Sequence, residues 1–234
     1  MNVPIFSIEG GIGAGKSTLL REFQEKLPDM EKQIGQKVVV MQEPVHLWTK
    51  PIQEGSTKTK SMLELFYEDN KRYALAFQLY ALKTRFDELI KMRKDNPDKI
   101  IVCERCPISD FKVFATMLYD AKILGEHEML VYSEWYDMMT ELLQLNICGI
   151  VYVRVPASTC AERIIKRDRK GEGSITMDYL HDLEQVHERW LMADPPLIKP
   201  LQSHQVYCVE FKEDGHADLT KVCRFIRDVL AKKE

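Results

Sequence analysis

The feature that most constrains this chain is a glycine-rich run close to its N-terminus, E-G-G-I-G-A-G-K-S-T. It fits the phosphate-loop pattern G-x-x-x-x-G-K-[ST], and it lies between a short apolar segment and a segment with apolar residues at helical spacing. A strand, a glycine loop and a helix N-terminus form a cradle for phosphate, because backbone N–H groups and the helix dipole favour negative charge there. The loop residues expected to contact a nucleoside triphosphate are Gly10, Gly11, Gly13, Ala14, Gly15, Lys16, Ser17 and Thr18. Lys16 would reach the terminal phosphates, and the Ser17 hydroxyl would hold Mg²⁺.

The composition is that of an ordinary globular domain. The chain has 234 residues, of which 45% are hydrophobic and 29% are charged. Its net charge of −3 gives no general attraction to nucleic acid or to an anionic membrane, so phosphate binding has to come from a local cluster. We find no apolar run near the ~20 residues that span a bilayer, and the N-terminal residues do not show the basic and apolar regions typical of a signal peptide. We expect a cytoplasmic protein, with a mitochondrial location as the alternative if a transit peptide has been removed.

Strand and helix patterns alternate along the whole chain. The predicted strands are residues 3–9, 37–42, 99–103, 148–154 and 205–211. The predicted helices are residues 15–27, about 61–94, 107–124, 127–146, 157–168, 177–192 and 217–232. This alternation predicts an α/β fold, in which right-handed crossovers join parallel strands. We expect one domain over residues 1–234, built as a five-stranded parallel sheet flanked by helices, with its site at the carboxyl ends of the strands.

Charged residues come directly after the predicted strands. Glu43 follows the second strand, and Glu104 and Arg105 follow the third. Each feature alone is typical of a turn or a solvated surface, but they share the sheet edge of the triphosphate site. Glu104 could hold Mg²⁺ together with Ser17. Glu43 lacks a basic neighbour in the sequence, which suits a general base that accepts a proton from a substrate hydroxyl.

The segment after the fourth strand is predicted to act as an arginine-bearing lid. Arg163 and Arg167 are four residues apart and therefore share one face of a helix. With Arg169 they could close over the phosphates and compensate for charge on the transferred group. Two nearby glycines would let the segment, about residues 163–175, move.

The long predicted helix supplies a candidate pocket for an acceptor. Tyr67, Gln78 and Arg85 recur at intervals close to whole turns of ~3.6 residues, so they are predicted to share one face. This mixture of polar and aromatic groups suits a cavity in which a flat ring stacks and its edge is hydrogen-bonded, although an exposed polar stripe is the alternative. Asp110 and Phe114, one turn apart on the next predicted helix, offer a second carboxylate and another aromatic ring.

Taken together, these residues resemble the deoxycytidine/deoxyguanosine kinase family of deoxynucleoside kinases over nearly the whole chain. The residues that carry the resemblance are the phosphate loop, E-P-V-x-x-W from Glu43, F-Q at Phe77, and E-R from Glu104 with a later Asp110. The resemblance implies a P-loop kinase fold. It also implies transfer of the γ-phosphate of ATP or another triphosphate, with Mg²⁺, to the 5′-hydroxyl of a deoxynucleoside in nucleotide salvage.

The resemblance also implies roles for single residues around the nucleoside. Glu43 would remove the proton from the 5′-hydroxyl, and Trp48 would line the pocket. Gln78 would bind the base edge through its amide, while Phe77 and Phe114 pack around the ring. The residues matching the pair that holds the 3′-hydroxyl are Tyr67 and Glu172.

On the phosphate side, the resemblance gives Glu104 the magnesium role and places Arg105 near the 5′-oxygen. The lid arginines, which would contact ATP and the transferred group, are Arg163, Arg167 and Arg169. Asp214 lies where relatives contact the donor base, but an aromatic residue often present there is glycine here, so the choice of donor stays open. Cys106 stands where the family usually has serine, which removes no proposed catalytic group.

Two residues bear on the choice of base. Arg85 and Asp110 match the pair found in members that accept deoxycytidine and purine deoxynucleosides, whereas thymidine-accepting relatives carry an apolar and a small residue there. An Arg/Asp pair can face an exocyclic amine but would crowd the thymine methyl group. We therefore expect deoxycytidine, deoxyadenosine and deoxyguanosine to be preferred over thymidine.

The family implies a homodimer packed through helices. The apolar pattern of residues 129–145 could supply that face, or it could belong to an internal core helix. Two other functions remain as alternatives. A monophosphate kinase resembling thymidylate kinase shares the loop, but it should carry an arginine where this chain has Gln42. A P-loop nucleotide switch shares the loop as well, but this chain has no N-K-x-D motif, and we expect no extra domain that would transmit motion.

Overall fold

The computed structural model describes residues 3–51, 60–169, 172–192, 205–209, 211 and 215–232. At its centre lies a five-stranded sheet in the order β2-β3-β1-β4-β5, in which every neighbouring pair is parallel. The strands are β1 (Ile5–Glu9), β2 (Val38–Met41), β3 (Ile100–Glu104), β4 (Ile147–Tyr152) and β5 (Gln205–Cys208). The predicted α/β fold with a five-stranded parallel sheet is confirmed.

Helices cover both faces of this sheet. They are α1 (Lys16–Glu25), α2 (Leu27–Ile34), α3 (Val45–Trp48), α4 (Met62–Glu68), α5 (Asn70–Asp95), α6 (Pro107–Ser109), α7 (Thr116–Asp120), α8 (Glu126–Leu143), α9 (Ala157–Arg167), α10 (Met177–Leu191) and α11 (Leu219–Ala231). A π-helical segment, Asp110–Ala115, joins α6 to α7, and a 3₁₀ turn, Glu172–Ser174, follows α9. Among the described residues, no helix combines the length and the apolar character that crossing a membrane requires.

The central strands are apolar on both sides because both sides are covered. Successive residues of a strand point to opposite faces, so Phe6 belongs to a core cluster that includes Ile226 of α11, while Ile5 belongs to another that includes Leu183 of α10. Every residue of β1, β3 and β4 is buried. Full burial of one such aliphatic or aromatic side chain contributes about 1.5–3 kcal/mol. The sheet is therefore a rigid base for the residues that follow its strands.

The long helix predicted over residues 61–94 is two helices, and this prediction was wrong. The helix is interrupted at Asp69, whose backbone is non-helical (φ −144°, ψ 78°). The Asp69 carboxylate accepts a hydrogen bond from the N–H of Arg72 at 3.2 Å. A short aspartate side chain stabilises a helix start in this way, which sequence periodicity does not reveal. Ser61 and Glu64 form a capping box at the start of α4.

The helix predicted over residues 107–124 is also divided, into α6, the π-helical segment and α7. The N–H of Thr116 donates to the carbonyl of Phe111, which is the wider hydrogen-bond spacing of a π-helix. Asp110 and Phe114 therefore lie on this π-helical segment and not on one α-helical turn. The helices α2 and α3 were not predicted; α2 has a proline in its first turn, a position that tolerates the missing N–H.

Candidate active site

A cavity of about 640 Å³ opens at the carboxyl edge of the sheet. It is lined by the phosphate loop, by residues that follow β2 and β3, and by side chains from α4, α5, α9 and α10. This volume is within the usual range of about 300–1,000 Å³ for small-molecule sites. The position agrees with the sequence argument, since parallel strands direct the loops after them to one edge.

The phosphate loop has a backbone that only glycine can adopt at two places. A Cβ atom on Gly10 would lie 2.6 Å from the carbonyl oxygen of Val153, and one on Gly13 would lie 2.6 Å from that of Cys160. Both residues also have positive φ, 145° and 83°. The loop is thus pressed against the start of α9 and against the end of β4, and its open side faces the cavity.

Lys16 begins α1 and is buried in the wall of the cavity. Its ammonium group donates to the carbonyls of Gly10 at 3.0 Å and Gly11 at 2.7 Å. Burial, the largest effect, lowers the pKa of Lys16 to about 8, and the nearby charge of Arg105 acts in the same direction. The lysine is therefore held in the loop and is poorly solvated as long as no anion faces it.

Ser17 and Glu104 are brought together as predicted, since the Ser17 hydroxyl donates to Glu104 Oε1 at 3.0 Å. A hydroxyl and a carboxylate are hard oxygen ligands of the kind Mg²⁺ prefers. Within the described residues, no three His, Cys, Asp or Glu side chains cluster closely enough to hold a metal ion on their own. The pair fits a Mg²⁺ ion that takes its remaining ligands from water and nucleotide phosphates.

Glu43 lies between two arginines. Its Oε1 accepts Arg85 Nη2 at 2.9 Å, and Arg105 Nη1 donates to both of its oxygens at 3.0 and 2.9 Å. Burial opposes the charge, but Arg105 and Arg85 lower the pKa of Glu43 to about 2. The sequence argument relied on the absence of a basic neighbour, but in the folded chain two arginines contact Glu43. Glu43 is fully ionised, and its basicity depends on how firmly these arginines hold it.

Arg85 and Asp110 form a buried bidentate pair. Arg85 Nε donates to Asp110 Oδ2 at 2.7 Å and Nη2 to Oδ1 at 3.1 Å, and each residue is 1% exposed. Arg85 Nη1 also donates to the carbonyl of Glu104 at 3.2 Å. Such contacts offset the cost of burying both charges. They fix the direction of both side chains at the cavity wall.

Aromatic rings form the wall around this pair. Phe77 stacks on Phe66 at 4.7 Å between ring centroids and meets Trp48 edge-on at 5.8 Å. The Trp48 indole donates to the Thr84 hydroxyl at 2.9 Å, which fixes its orientation. Gln78 and Phe114 line the same cavity. The predicted nucleoside-binding residues are thus assembled around one space.

Tyr67 reaches the cavity by a route that the sequence argument missed. It lies on α4, whereas Gln78 and Arg85 lie on α5, so the prediction that all three share one face of a single helix was wrong. The three nevertheless line the same cavity, because α4 packs against α5. Burial raises the pKa of the Tyr67 hydroxyl, which keeps it neutral and able to donate a hydrogen bond.

The predicted lid arginines line the same cavity as the nucleoside pocket residues of α5. Arg163 Nη1 donates to the carbonyl of Ala14 at 2.8 Å. Arg167 binds Glu172 through two hydrogen bonds of 2.8 and 2.7 Å, and Arg169 donates to the same carboxylate at 3.2 Å. Glu172 therefore holds two of the arginines, a contact that the sequence did not indicate. Asp214, expected near the donor base, lies outside the described residues.

Tyr179 is a cavity residue that the sequence reasoning missed. It lies in the first turn of α10, and its ring lines the cavity with Tyr67 and the lid arginines. Burial raises the pKa of its hydroxyl to about 12. No motif marks this tyrosine, and the only signal was its position just after the lid segment.

Comparisons with known proteins point to one family. A model of the deoxynucleoside kinase family matches residues 6–231. A probable deoxycytidine kinase of fowlpox virus is 35% identical over 185 residues, which cover 79% of this chain and 70% of that protein. Deoxycytidine kinase of Mus musculus is 32% identical over 201 residues, covering 80% of this chain and 74% of the relative.

A third relative, the mitochondrial deoxyguanosine kinase of Xenopus laevis, is 30% identical over 205 residues, covering 82% of this chain and 74% of that protein. The phosphate loop, Glu43 and the buried Arg85–Asp110 pair all lie within the residues that the family model matches. The chain belongs to the deoxynucleoside kinase family, whose members are phosphotransferases with an alcohol group as acceptor.

Proposed function

We propose that this kinase transfers the γ-phosphate of ATP, or of another nucleoside triphosphate, to the 5′-hydroxyl of a deoxynucleoside in nucleotide salvage. The observation that supports this most strongly is a continuous chain of contacts across the cavity. It runs from the phosphate loop to the base pocket through Gly10, Arg105, Glu43, Arg85 and Asp110. Glu43 lies at its centre, where a 5′-hydroxyl would meet the phosphate.

Glu43 accepts the proton of the attacking hydroxyl in this proposal. With a pKa near 2 it is a weak base while both arginines hold it. Phosphate oxygens entering beside the loop compete for Arg105, and a looser hold on Glu43 makes its carboxylate more basic. The same arginine then faces the transferred group, so proton removal and charge compensation occur together.

On the phosphate side, Lys16 would contact the terminal phosphates. Ser17 and Glu104 would hold a Mg²⁺ ion, whose charge would offset the negative charge of the phosphates. The segment of residues 163–175 acts as the lid. Arg167 and Arg169, now bound to Glu172, are close enough to the cavity to turn toward the phosphates. Glu172 is then available, with Tyr67, for the 3′-hydroxyl that the family resemblance assigns to this pair.

We further propose that the pocket prefers deoxycytidine, deoxyadenosine and deoxyguanosine over thymidine. Asp110 has its carboxylate fixed by Arg85, so the pair presents a charged donor and acceptor side by side. An exocyclic amine can be matched by such a pair, but the methyl group of thymine cannot. A site built from buried polar groups discriminates strongly against a ligand that leaves them unpaired.

The experiment that tests this function is ADP production from MgATP with deoxycytidine, deoxyadenosine, deoxyguanosine, thymidine and thymidine monophosphate in separate reactions. Turnover with one or more of the first three, and little with thymidine, is the expected result. Turnover with thymidine monophosphate alone would instead assign a monophosphate kinase and remove the role given to Glu43.

We also propose that the kinase is a homodimer formed through α8. The inner side of this helix, including Met139 and Leu143, packs in the core, whereas Trp135 is 52% and Leu142 is 71% exposed on its outer side. Exposed apolar residues grouped on one helix face are typical of an interface. Light scattering of the wild type and of Leu142→Glu tests this, since the expected dimer should become a monomer in the variant.

A further inference from the structure

A buried carboxylate that the proposed mechanism does not use lies next to its centre. Glu9 is the last residue of β1 and is 0% exposed. Its Oε1 accepts the backbone N–H of Cys106 at 3.1 Å and the hydroxyl of Ser7, while its Oε2 has no hydrogen-bond partner among the described residues. Burial raises the pKa of Glu9. Burying a carboxyl group costs free energy, and one of the two Glu9 oxygens gains no hydrogen bond among the described residues to offset that cost.

The turn that Glu9 contacts is strained. Arg105 has a φ of 58°, in the left-handed region that a long side chain seldom adopts. The end of β1 holds this turn on both sides of the strained residue: the N–H of Arg105 donates to the carbonyl of Ile8 at 3.1 Å, and the N–H of Cys106 donates to Glu9. The first acceptor is backbone, whereas the second is a side chain. We call these two hydrogen bonds the clamp. A substitution can remove only the one that Glu9 accepts.

The clamp sets the direction of the Arg105 guanidinium. From this turn, Arg105 Nη1 reaches both oxygens of Glu43, and Nη2 reaches the carbonyl of Gly10 at 3.1 Å. The ring of Phe114 packs against the guanidinium at 5.0 Å. A relaxed turn would move the guanidinium away from the point where the phosphate loop and Glu43 meet.

We propose that Glu9 is a positioning residue for phosphoryl transfer, whose carboxylate oxygen locks the Arg105 turn through the N–H of Cys106. This inference rests on the proposed function through the role of Arg105. Glu9 is not among the residues that line the cavity. Its loss should reduce kcat more than it changes the KM for deoxynucleoside, because the base pocket around Arg85 is held by other contacts.

A matched pair of variants isolates the oxygen acceptor. Glu9→Gln keeps an oxygen for the N–H of Cys106, whereas Glu9→Met has similar length and no oxygen, and both variants lack the charge. Misplacing a catalytic group by about 1 Å can cost ~100-fold in rate. We expect kcat to fall about 10- to 100-fold in Glu9→Met and to stay within about threefold of wild type in Glu9→Gln.

A double-variant cycle with Arg105→Ala shows whether Glu9 acts through Arg105. Residues that act as one unit are not additive, so Glu9→Met should reduce kcat no further once Arg105 is gone. A loss that persists in the Arg105→Ala background would overturn the proposal, because Glu9 would then act in another way. Unchanged kcat in Glu9→Met, or equal losses in the Met and Gln variants, would overturn it as well.

Two further measurements keep the outcome decisive. If Glu9→Met does not fold, Ser7→Ala takes its place, because it removes the hydroxyl that orients the Glu9 carboxylate. We expect it to lower kcat several-fold by the same route, and unchanged kcat would contradict the proposal.

Wild-type turnover with the deoxynucleoside panel is measured first. A wild type without turnover refutes the proposed function. An active wild type whose Glu9 variants keep the same kcat refutes only the role of Glu9.

Discussion

The two ends of the cavity are built on different principles. At the phosphate end, neighbouring residues of one loop hold Lys16 through the carbonyls of Gly10 and Gly11. At the nucleoside end, the pocket is assembled from side chains on α3, α4, α5 and the π-helical segment, joined by the Arg85–Asp110 pair. The first end therefore depends on the backbone of one loop and is intolerant of a backbone shift. The second can change its ligand through one or two substitutions.

The largest effect is expected where the two ends meet, at Glu43. Glu43→Gln keeps the size of the side chain and removes the base, so kcat should fall by about 10²- to 10⁴-fold while deoxynucleoside and ATP still bind. Single-turnover rates and fluorescence titrations measure the two quantities separately. Glu31→Gln, which alters a surface ion pair with Lys37, is the control. A kcat near that of wild type in Glu43→Gln would remove the base assignment.

At the phosphate end, Gly13→Ala should lower the rate of phosphoryl transfer to every deoxynucleoside by the same factor. The new Cβ would lie 2.6 Å from the Cys160 carbonyl on a backbone with φ 83°, so the loop has to move. We expect kcat/KM for MgATP to fall about 100-fold, because small displacements of positioning groups have effects of that size. Gly125→Ala is the matched control, since that glycine starts α8 with ordinary contacts.

The ratio of rates among deoxynucleosides should be the same in Gly13→Ala as in wild type. A marked change in this ratio would mean that the loop also shapes the nucleoside pocket, and the distinction between the two ends would fail.

At the nucleoside end, Arg85→Met with Asp110→Ala should change which substrate is used. The double variant removes the charged pair and leaves apolar space for a methyl group. We expect the ratio of kcat/KM for thymidine to that for deoxycytidine to rise at least about tenfold, since one unpaired buried polar group is worth a discrimination of that order. Steady-state kinetics on both substrates measure the ratio. A ratio that does not rise would contradict the specificity argument.

The same contrast explains what could be predicted from the sequence. The strand, loop and helix around Lys16 follow one another in the chain, so a local sequence pattern was enough to predict them. Glu43 meets Arg85 and Arg105 across separations of 42 and 62 residues, and its depressed pKa could not be read from its neighbours in sequence. The break at Asp69 depends on one side-chain hydrogen bond, which apolar periodicity does not register. Tyr179 enters the cavity because α10 packs against α9 and the π-helical segment, and such tertiary contacts cannot be read from the local sequence.

The smallest effect we expect is a proton linkage confined to the phosphate end. The pKa of Lys16, lowered to about 8 by burial, should rise when nucleotide phosphates face the ammonium group. Above pH 8 part of the free enzyme has a neutral Lys16, so ATP binding should take up a fraction of a proton and weaken as the pH rises.

Calorimetry at pH 8.5 in two buffers of different ionisation enthalpy measures this uptake. Deoxynucleoside binding should show none at that pH, because burial lowers the pKa of Arg85 but Asp110 and Glu43 together outweigh it and raise that pKa well above its ordinary value. Equal apparent enthalpies of ATP binding in both buffers would contradict the prediction. Proton uptake with the deoxynucleoside alone would instead show that the two ends share a titrating group, and the contact chain through Arg105 and Glu43 is the route by which they could.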